Sequence, residues 1–169
     1  MLTRDDRSIL IDSLKAELTK ATVDTSKINL LRKIGIANHN TPESLPYYED
    51  ALKLSINIKN KNKEGACYND IGVVNQYQGN YDHAIDYYLR SLRIMEELGN
   101  KAGIASNLNN IGIVYDMQGE YDQAIKYYLQ SLSIAEELKN KVGIASSLNN
   151  IGIVYYYQGK IDSSLVYDK

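Results

Sequence analysis

The 169-residue sequence contains no phenylalanine, no tryptophan, two prolines and one cysteine. The lone Cys67 excludes an internal disulfide, so its expected role is that of a small buried residue. No apolar stretch approaches the ~18 residues that suggest a membrane-spanning helix. A net charge of -2 leaves no basic excess to neutralise phosphates, which disfavours binding to nucleic acid. Scarce proline and the lack of a low-complexity linker favour a single domain.

The N-terminal sequence, residues 1–7, lacks the apolar segment of a signal peptide. Because a signal can be removed during maturation, the sequence leaves both a cytoplasmic and a periplasmic location open. No residue pattern indicates a metal or cofactor site.

The most informative feature that the sequence does contain is a repeat of fixed length. An Asn-Asn-Ile-Gly or Asn-Asp-Ile-Gly motif returns every 40 residues, at positions 69–72, 109–112 and 149–152. A fixed period of about 20–50 residues is typical of a solenoid, in which each unit buries its apolar face by stacking on its neighbours. The 15 tyrosines suit such a thin fold, because tyrosine combines a large apolar body with a polar tip. The pattern indicates a binding surface rather than an active site.

Each repeat is predicted to be a pair of helices. Within residues 101–140, apolar side chains recur every three or four positions, which is typical of amphipathic helices. Gly119 interrupts the pattern, so two antiparallel helices joined by a tight turn are expected. Gly112 and Ala124 leave room for opposing side chains. A glycine inside a helix costs about 1 kcal/mol relative to alanine, and its return in each repeat indicates that close packing offsets the cost.

The resulting prediction is an all-α chain. The expected helices lie near residues 4–20, 24–37, 43–58, 62–78, 81–98, 102–118, 121–138, 142–158 and 161–168. The first of them should cap the N-terminal end of the stack. The first repeat is degenerate: at the fixed period Arg32 replaces the helix glycine, and Asn29 aligns with Asn69. Pro46 should delay the start of the following helix to about Ser44 or kink it.

The unit resembles the tetratricopeptide repeat, whose pattern is a large residue, Leu-Gly, Tyr, Gly, Tyr, Ala, an aromatic residue and Ala on a helix–turn–helix. The third copy carries Leu108, Ile111, Gly112, Tyr115, Gly119, Tyr121, Ala124, Tyr128 and Ser131 at these places. The resemblance spans residues 24–169. It implies a right-handed α–α superhelix, a solenoid of about four repeats with an N-terminal capping helix.

The implied array is a single domain over residues 1–169. It comprises a capping helix at 1–20, a degenerate repeat at 21–60, repeats at 61–100 and 101–140, and a truncated repeat at 141–169. Because the chain ends inside a repeat, we expect it to be a fragment of a longer protein. The long period resembles that of kinesin light chains, of bacterial peptide-responsive regulators and of the N-terminal sensor arrays of bacterial histidine kinases. Residues 11–14 and 24–27 are most similar to the sensor arrays.

In this family the first helices of successive repeats line a concave groove, which implies a set of peptide-binding residues. They are Asn69, Asp70, Asn109, Asn110, Asp116, Asn149, Asn150, Tyr77, Tyr156 and Tyr157. An Asn amide offers donors and an acceptor, so a row of them could pair with the backbone of an extended peptide. The same row could instead bond neighbouring helices to each other, and both readings stay open. The tyrosines could likewise anchor a peptide or serve ordinary packing.

The partner implied by the resemblance is a protein or extended peptide segment that is neutral or basic. Some family members clamp a C-terminal carboxylate with paired Lys and Asn. Here Asn110 and Asn150 match the clamp Asn, but the cationic positions carry Ser, Ala, Ile or Val. Asp70 and Asp116 would instead accept a neutral or basic segment.

No active site is expected, because His39, His83 and Cys67 share no catalytic spacing. The predicted function is a non-catalytic binding scaffold, the sensory or interaction module of a larger signalling regulator. The alternative is a self-assembly element that stacks through an open C-terminal edge formed by Ile151, Tyr155 and Leu165.

Overall fold

The computed structural model describes residues 3–38 and 41–159, which form α-helices and one 3-10 helix and contain no β-strand. The helices are α1 Arg4–Lys20, α2 Asp24–Ala37, α3 Leu45–Asn57, α4 Lys61–Tyr77, α5 Tyr81–Glu97, α6 Lys101–Met117, α7 Tyr121–Glu137 and α8 Lys141–Tyr157. Their ends lie within two residues of the predicted ones, so the all-α fold class is confirmed. The predicted helix at 161–168, His39 and Leu165 lie outside the described residues. No helix in the described part is long and apolar enough to cross a membrane.

Asparagines begin the first helix of the later repeats. The side-chain oxygens of Asn60, Asn100 and Asn140 accept hydrogen bonds from backbone N–H groups three residues on, at 3.1, 3.0 and 3.2 Å. An N-cap of this kind satisfies a donor that the helix leaves without an internal partner. Before α3, a 3-10 helix at Pro42–Ser44 delays the α-helix to Leu45, as Pro46 led us to expect.

The chain divides into two compact units, Met1–Ile94 and Met95–Lys169. In the first unit α1 packs on α2, α2 on α3, and α3 on α4. Its core includes two buried clusters, one of Ile28, Ala51 and Cys67 and one of Tyr48, Ile71 and Val74. The buried position expected for Cys67 is confirmed. In the second unit α6, α7 and α8 surround Ala124, Tyr128, Leu132, Ile151 and Val154.

A tyrosine packs against a glycine in each of three helix pairs. A Cβ atom added to Gly112 would lie 2.7 Å from the ring of Tyr128, and one added to Gly72 would lie 2.7 Å from Tyr88. Such distances are closer than real Cβ contacts, so the glycine is what allows the ring to approach. The expectation of close packing at Gly72 and Gly112 is confirmed.

The first repeat keeps this contact, and the alignment that placed Arg32 at the glycine position is wrong. Gly35 holds that position, because a Cβ atom there would lie 2.5 Å from the ring of Tyr48. Glycine and tyrosine are separated by 13 residues here (48 − 35) and by 16 in the next repeat (88 − 72). A shorter connection between the helices therefore shifted the fixed-period alignment by three residues. The match of Asn29 to Asn69 fails for the same reason.

Candidate functional site

In the second unit, α6 and α8 are joined by two of the predicted site residues. Nδ2 of Asn150 donates a hydrogen bond to Oδ1 of Asn109 at 3.1 Å. Both side chains are half-buried. We call Asn109 and Asn150 the amide pair. Its mutual bond uses one N–H of Asn150 and one lone pair of Asn109, which leaves further donors on Asn109 and acceptor capacity on Asn150.

Two helical turns beyond the amide pair, α6 carries Asp116 and α8 carries Tyr157. Seven residues are close to two turns of ~3.6, so Asp116 shares a side of α6 with Asn109, and Tyr157 shares a side of α8 with Asn150. Burial raises the pKa of Asp116. Among the described residues, Asp116 has no hydrogen-bonded or ion-paired partner. Within the described residues of the second unit, this half-buried carboxylate therefore has no cation beside it.

Tyrosines cluster around this end of α8. The ring of Tyr157 stacks on that of Tyr121 with centroids 6.5 Å apart, and Tyr156 meets Tyr157 edge to face at 6.0 Å. Tyr156 and Tyr157 nevertheless remain 64% and 63% exposed. Behind them, burial raises the pKa of Tyr128, and the charge of Asp116 raises it further. The aromatic surface is thus held in place by its neighbours while its faces stay in contact with solvent.

Toward the other ends of α6 and α8 lies a cleft walled by small side chains. It is lined by Ala102, Ala105, Ser106, Asn109, Val142, Gly143, Ser146 and Ser147, with Ser131 and Ala135 of α7 at its base. The hydroxyl of Ser131 donates to the carbonyl of Ala105 at 2.9 Å, and that of Ser147 donates to Ser131 at 3.4 Å. Along α6 and α8 the surface therefore changes from small and neutral, through the amide pair, to acidic and aromatic.

The first unit has a charged pair at the positions that correspond to the amide pair. Arg32 and Asn109 each lie three residues before the glycine of the Ile-Gly dipeptide in their helix, and Asp70 and Asn150 each lie two residues before it. Nε of Arg32 donates to Oδ2 of Asp70, and Nη2 donates to Oδ1 at 3.2 Å. We call Arg32 and Asp70 the charged pair. Its side chains are only 25% and 13% exposed.

Burial raises the pKa of Asp70, and the hydrogen bond and charge of Arg32 oppose that rise. The guanidinium is therefore the main group that keeps this carboxyl charged. A second contact joins the same helices, because Nζ of Lys63 donates to Oδ1 of Asn29 at 2.6 Å.

The importance of Arg32 was missed by the sequence reasoning, although a signal was present. The dipeptide Ile-Gly contains the packing glycine at residues 71–72 and 111–112, returns at 151–152, and also occurs at 34–35. Aligning on that dipeptide rather than on the fixed period would have placed Arg32 opposite Asp70.

The other predicted site residues occupy varied environments. Asn69 and Asn110 are half-buried on α4 and α6, Asn149 is exposed on α8, and Tyr77 is 73% exposed at the end of α4. Among the ten, Asn150 donates a hydrogen bond to Asn109, and the Tyr156 and Tyr157 rings touch. Their peptide-binding role stays a prediction.

Groups with catalytic potential are dispersed. Cys67 is fully buried, and burial raises the pKa of its thiol to about 12, which keeps it protonated and unreactive. His83 is exposed on α5. Within the described ranges no group of three or more His, Cys, Asp or Glu side chains could hold a metal ion.

A known protein family matches most of the chain. The family model described as tetratricopeptide repeat matches residues 34–97 and 101–168. The chain belongs to the tetratricopeptide-repeat family. Both matched segments cover the helix pairs whose glycine–tyrosine contacts are described above, which agrees with the motif. No curated protein matches the chain.

Solved structures share the fold at low sequence identity. A Rap protein complexed with competence and sporulation factor aligns with a TM-score of 0.86 and 19% identity, over 97% of this tetratricopeptide-repeat chain and 48% of its own. Aspartyl phosphate phosphatase F from Bacillus subtilis gives 0.85 and 18%, over 96% and 45%. The Rap conjugation gene regulator of plasmid pLS20, in complex with the Phr* peptide, gives 0.73 and 18%, over 84% and 40%. The chain thus spans less than half the length of these three proteins.

Proposed function

We propose that the protein is a non-catalytic module that binds an extended peptide or protein segment along α6 and α8 of its second unit. The observation that carries this proposal is the amide pair. Asn109 and Asn150 are bonded to each other at 3.1 Å, are half-buried, and still have hydrogen-bonding groups to spare. A peptide group has one N–H and one C=O, so it can bond to the acceptor of one amide and the donor of the other.

The surroundings of the amide pair suit an extended segment. Small side chains on one side allow a backbone to approach closely, and Ile153 and Tyr157 on the other side, 40% and 63% exposed, offer apolar contact. Main-chain bonds would supply affinity that does not depend on sequence, and the apolar end would supply preference for particular side chains. A neutral or basic segment fits, because Asp116 is the only charged residue between Ala102 and Gln118.

The similar solved structures support this proposal by analogy of fold. One of them is in complex with a peptide, and the Rap proteins are more than twice as long as the part that this chain aligns with. By that analogy we propose that the chain is the sensory or interaction module of a larger signalling regulator. One similar protein is named a phosphatase. The buried Cys67 and the dispersed acids favour the non-catalytic assignment for this chain.

The test is selection of binding peptides from a random displayed library, followed by affinity measurement by fluorescence anisotropy. Replacing both members of the amide pair, Asn109 and Asn150, by Ala should weaken binding of a selected peptide roughly 5- to 150-fold. This range assumes that each lost hydrogen bond costs about 0.5–1.5 kcal/mol of binding free energy and that about 1.4 kcal/mol corresponds to a factor of ten in affinity. Gln130→Ala, at an exposed position of α7, is the matched control and should leave the affinity unchanged.

Thermal melts of the same proteins separate binding from scaffolding. If the double variant melts early but binds the peptide normally, the Asn row holds the helices together and the proposed groove is wrong. If no peptide is selected, the proposed function itself fails. Light scattering over a range of concentrations then decides whether the chain self-associates instead.

A further inference from the structure

We propose that Asp116 and Tyr157 form a subsite for an arginine side chain of the bound peptide. This inference rests on the proposed function and adds the chemistry of one anchoring residue. Asp116 supplies a half-buried carboxylate with no cation beside it among the residues that the structure describes. Tyr157 supplies an exposed ring on the neighbouring helix, two turns beyond the amide pair. A peptide held by the amide pair would therefore pass a carboxylate and an aromatic face at the same level.

Charge complementarity identifies the occupant as a cation. From Ala102 to Ile125 the charged residues are Asp116, Glu120 and Asp122, and from Val142 to Gln158 there is none. The next charge along α7 is Lys126, which is exposed. Every charge at this end of α6 and at the start of α7 is thus negative. Glu120 and Asp122 are exposed, whereas Asp116 is half-buried, so an incoming cation would be bound most strongly at Asp116.

The molecule contains an internal example of this arrangement. In the first unit Arg90 lies 5.7 Å from the ring centroid of Tyr87 and 6.0 Å from that of Tyr68, and its Nε donates to Oδ2 of Asp86 at 2.9 Å. There, one carboxylate and two tyrosine rings hold a guanidinium. Asp116, Tyr157 and the adjoining Tyr156 offer the same groups without the arginine.

Arginine fits these groups better than lysine. A guanidinium is planar, so it can donate hydrogen bonds to a carboxylate while it stacks on an aromatic face, and it carries less tightly held water than an ammonium group. The stacked pair of Tyr121 and Tyr157, tilted by only 12°, fixes the orientation of the ring that the guanidinium would meet.

Packing alone does not require a carboxylate at this position. The corresponding residue in the preceding repeat is Gln76, whose Oε1 accepts a hydrogen bond from the phenol of Tyr88 at 2.7 Å. A neutral acceptor therefore serves the tyrosine of that repeat. This equivalence also supplies a conservative variant, Asp116→Gln, that the helix pair should tolerate.

The experiment measures a set of short synthetic peptides by fluorescence anisotropy against the full chain. Each peptide has an Ala–Ser background with one leucine and, next to it, arginine, lysine, citrulline or glutamate. Citrulline keeps the shape of arginine and removes its charge. We expect the arginine peptide to bind about tenfold more tightly than the citrulline peptide, and we expect Asp116→Gln to abolish that difference.

Two further variants sharpen the result. Tyr157→Met, which copies Met117 of the preceding repeat, should reduce the advantage of arginine over lysine. Glu120→Gln removes an exposed acid at the same end and should leave the preference for arginine intact. Melting temperatures close to that of the original protein show that each variant is folded.

The outcomes distinguish this inference from the proposed function. If arginine and citrulline peptides bind equally well, or if Asp116→Gln weakens both to the same extent, the arginine subsite is wrong and peptide binding stands. If Glu120→Gln removes the preference as completely as Asp116→Gln, the cation is bound by diffuse charge, and the subsite is likewise wrong. If none of these peptides binds while the displayed library yields a binding peptide, the arginine subsite is wrong and peptide binding stands. If the library also yields no binding peptide, both proposals fall.

Discussion

The charged pair of the first unit and the amide pair of the second occupy the same positions in the repeat and do different things. Arg32 and Asp70 bond to each other through two hydrogen bonds and are three-quarters or more buried. Asn109 and Asn150 share one hydrogen bond at 3.1 Å and keep spare donors and acceptors. Both pairs join successive first helices. The charged pair satisfies its own hydrogen-bonding groups, whereas the amide pair keeps the spare donors and acceptors on which the proposed peptide binding rests.

The difference follows from the cost of burying charge. Asp70 is only 13% exposed and needs its cation, so a ligand that displaced Arg32 from Asp70 would have to replace a charge-assisted bond. An amide can exchange one neutral partner for another at little net cost. Equivalent sites in a repeat protein can therefore be closed by an ion pair in one repeat and keep spare hydrogen-bonding groups in another.

The largest expected effect concerns what the two units share, which is the glycine–tyrosine contact. Gly112→Leu should lower the free energy of unfolding by about 3 kcal/mol or more, because the added side chain would overlap the ring of Tyr128, 2.7 Å from the Cβ position. The measurement is urea unfolding followed by circular dichroism. Gly35→Leu, against Tyr48, should destabilise the first unit in the same way.

Ala102→Leu is the matched control, because Ala102 is exposed on the same helix as Gly112. It should change the free energy of unfolding by less than about 0.5 kcal/mol. An unchanged unfolding curve for Gly112→Leu would mean that the contact is not tight.

The next largest effect on stability is expected in the first unit alone, at the charged pair. Arg32→Met removes the cation and leaves Asp70, 13% exposed, without its partner. Removal of one member of a buried pair costs about 3–5 kcal/mol, and partial exposure here should reduce the loss to about 2 kcal/mol. Part of the loss should vanish at acidic pH, because Asp70 is then protonated and no longer needs a cation.

A transplant makes this prediction sharper. Replacing Arg32 and Asp70 together by Asn should recover most of the stability, since it installs the amide pair of the second unit. If the double replacement is no more stable than Arg32→Met, the two pairs are not interchangeable and the comparison between the units fails.

Much of this fold was predictable from the sequence, because the signals are local. Helix periodicity and the returning glycines gave the helix ends to within two residues. The charged pair was not found, because it joins residues 38 apart whose alignment depends on the length of the connection before α3. A contact between residues on different helices can be predicted only when the repeats are aligned correctly. A fixed period misaligns a repeat that is shorter than the others.

A smaller effect is expected at the amide pair. Asn150→Ala removes one neutral, half-buried hydrogen bond and should lower the free energy of unfolding by about 0.5–1.5 kcal/mol. Its neighbour Asn149 is exposed, so Asn149→Ala should change stability by less. Equal losses for the two variants in urea unfolding would show that the bond to Asn109 adds nothing to stability.

The smallest expected effect concerns the turn that precedes the first helix of a repeat. Gly99 in that turn has φ +64°, whereas Lys59 and Lys139 adopt φ 53° at the equivalent positions. A residue with a side chain pays about 1–2 kcal/mol to adopt this left-handed conformation, and a glycine does not. Glycine has more conformational freedom in the unfolded chain, which offsets part of the stability gained by removing that strain. Lys139→Gly should therefore stabilise the second unit by about 0.5 kcal/mol, and Gly99→Lys should destabilise it by a similar amount.

Lys59→Gly should stabilise the first unit as Lys139→Gly stabilises the second, since the turn is the same there. Thermal melts at matched concentration measure all three variants, and a loss of stability in both Lys→Gly variants would show that these lysines contribute more through their side chains than their backbone costs.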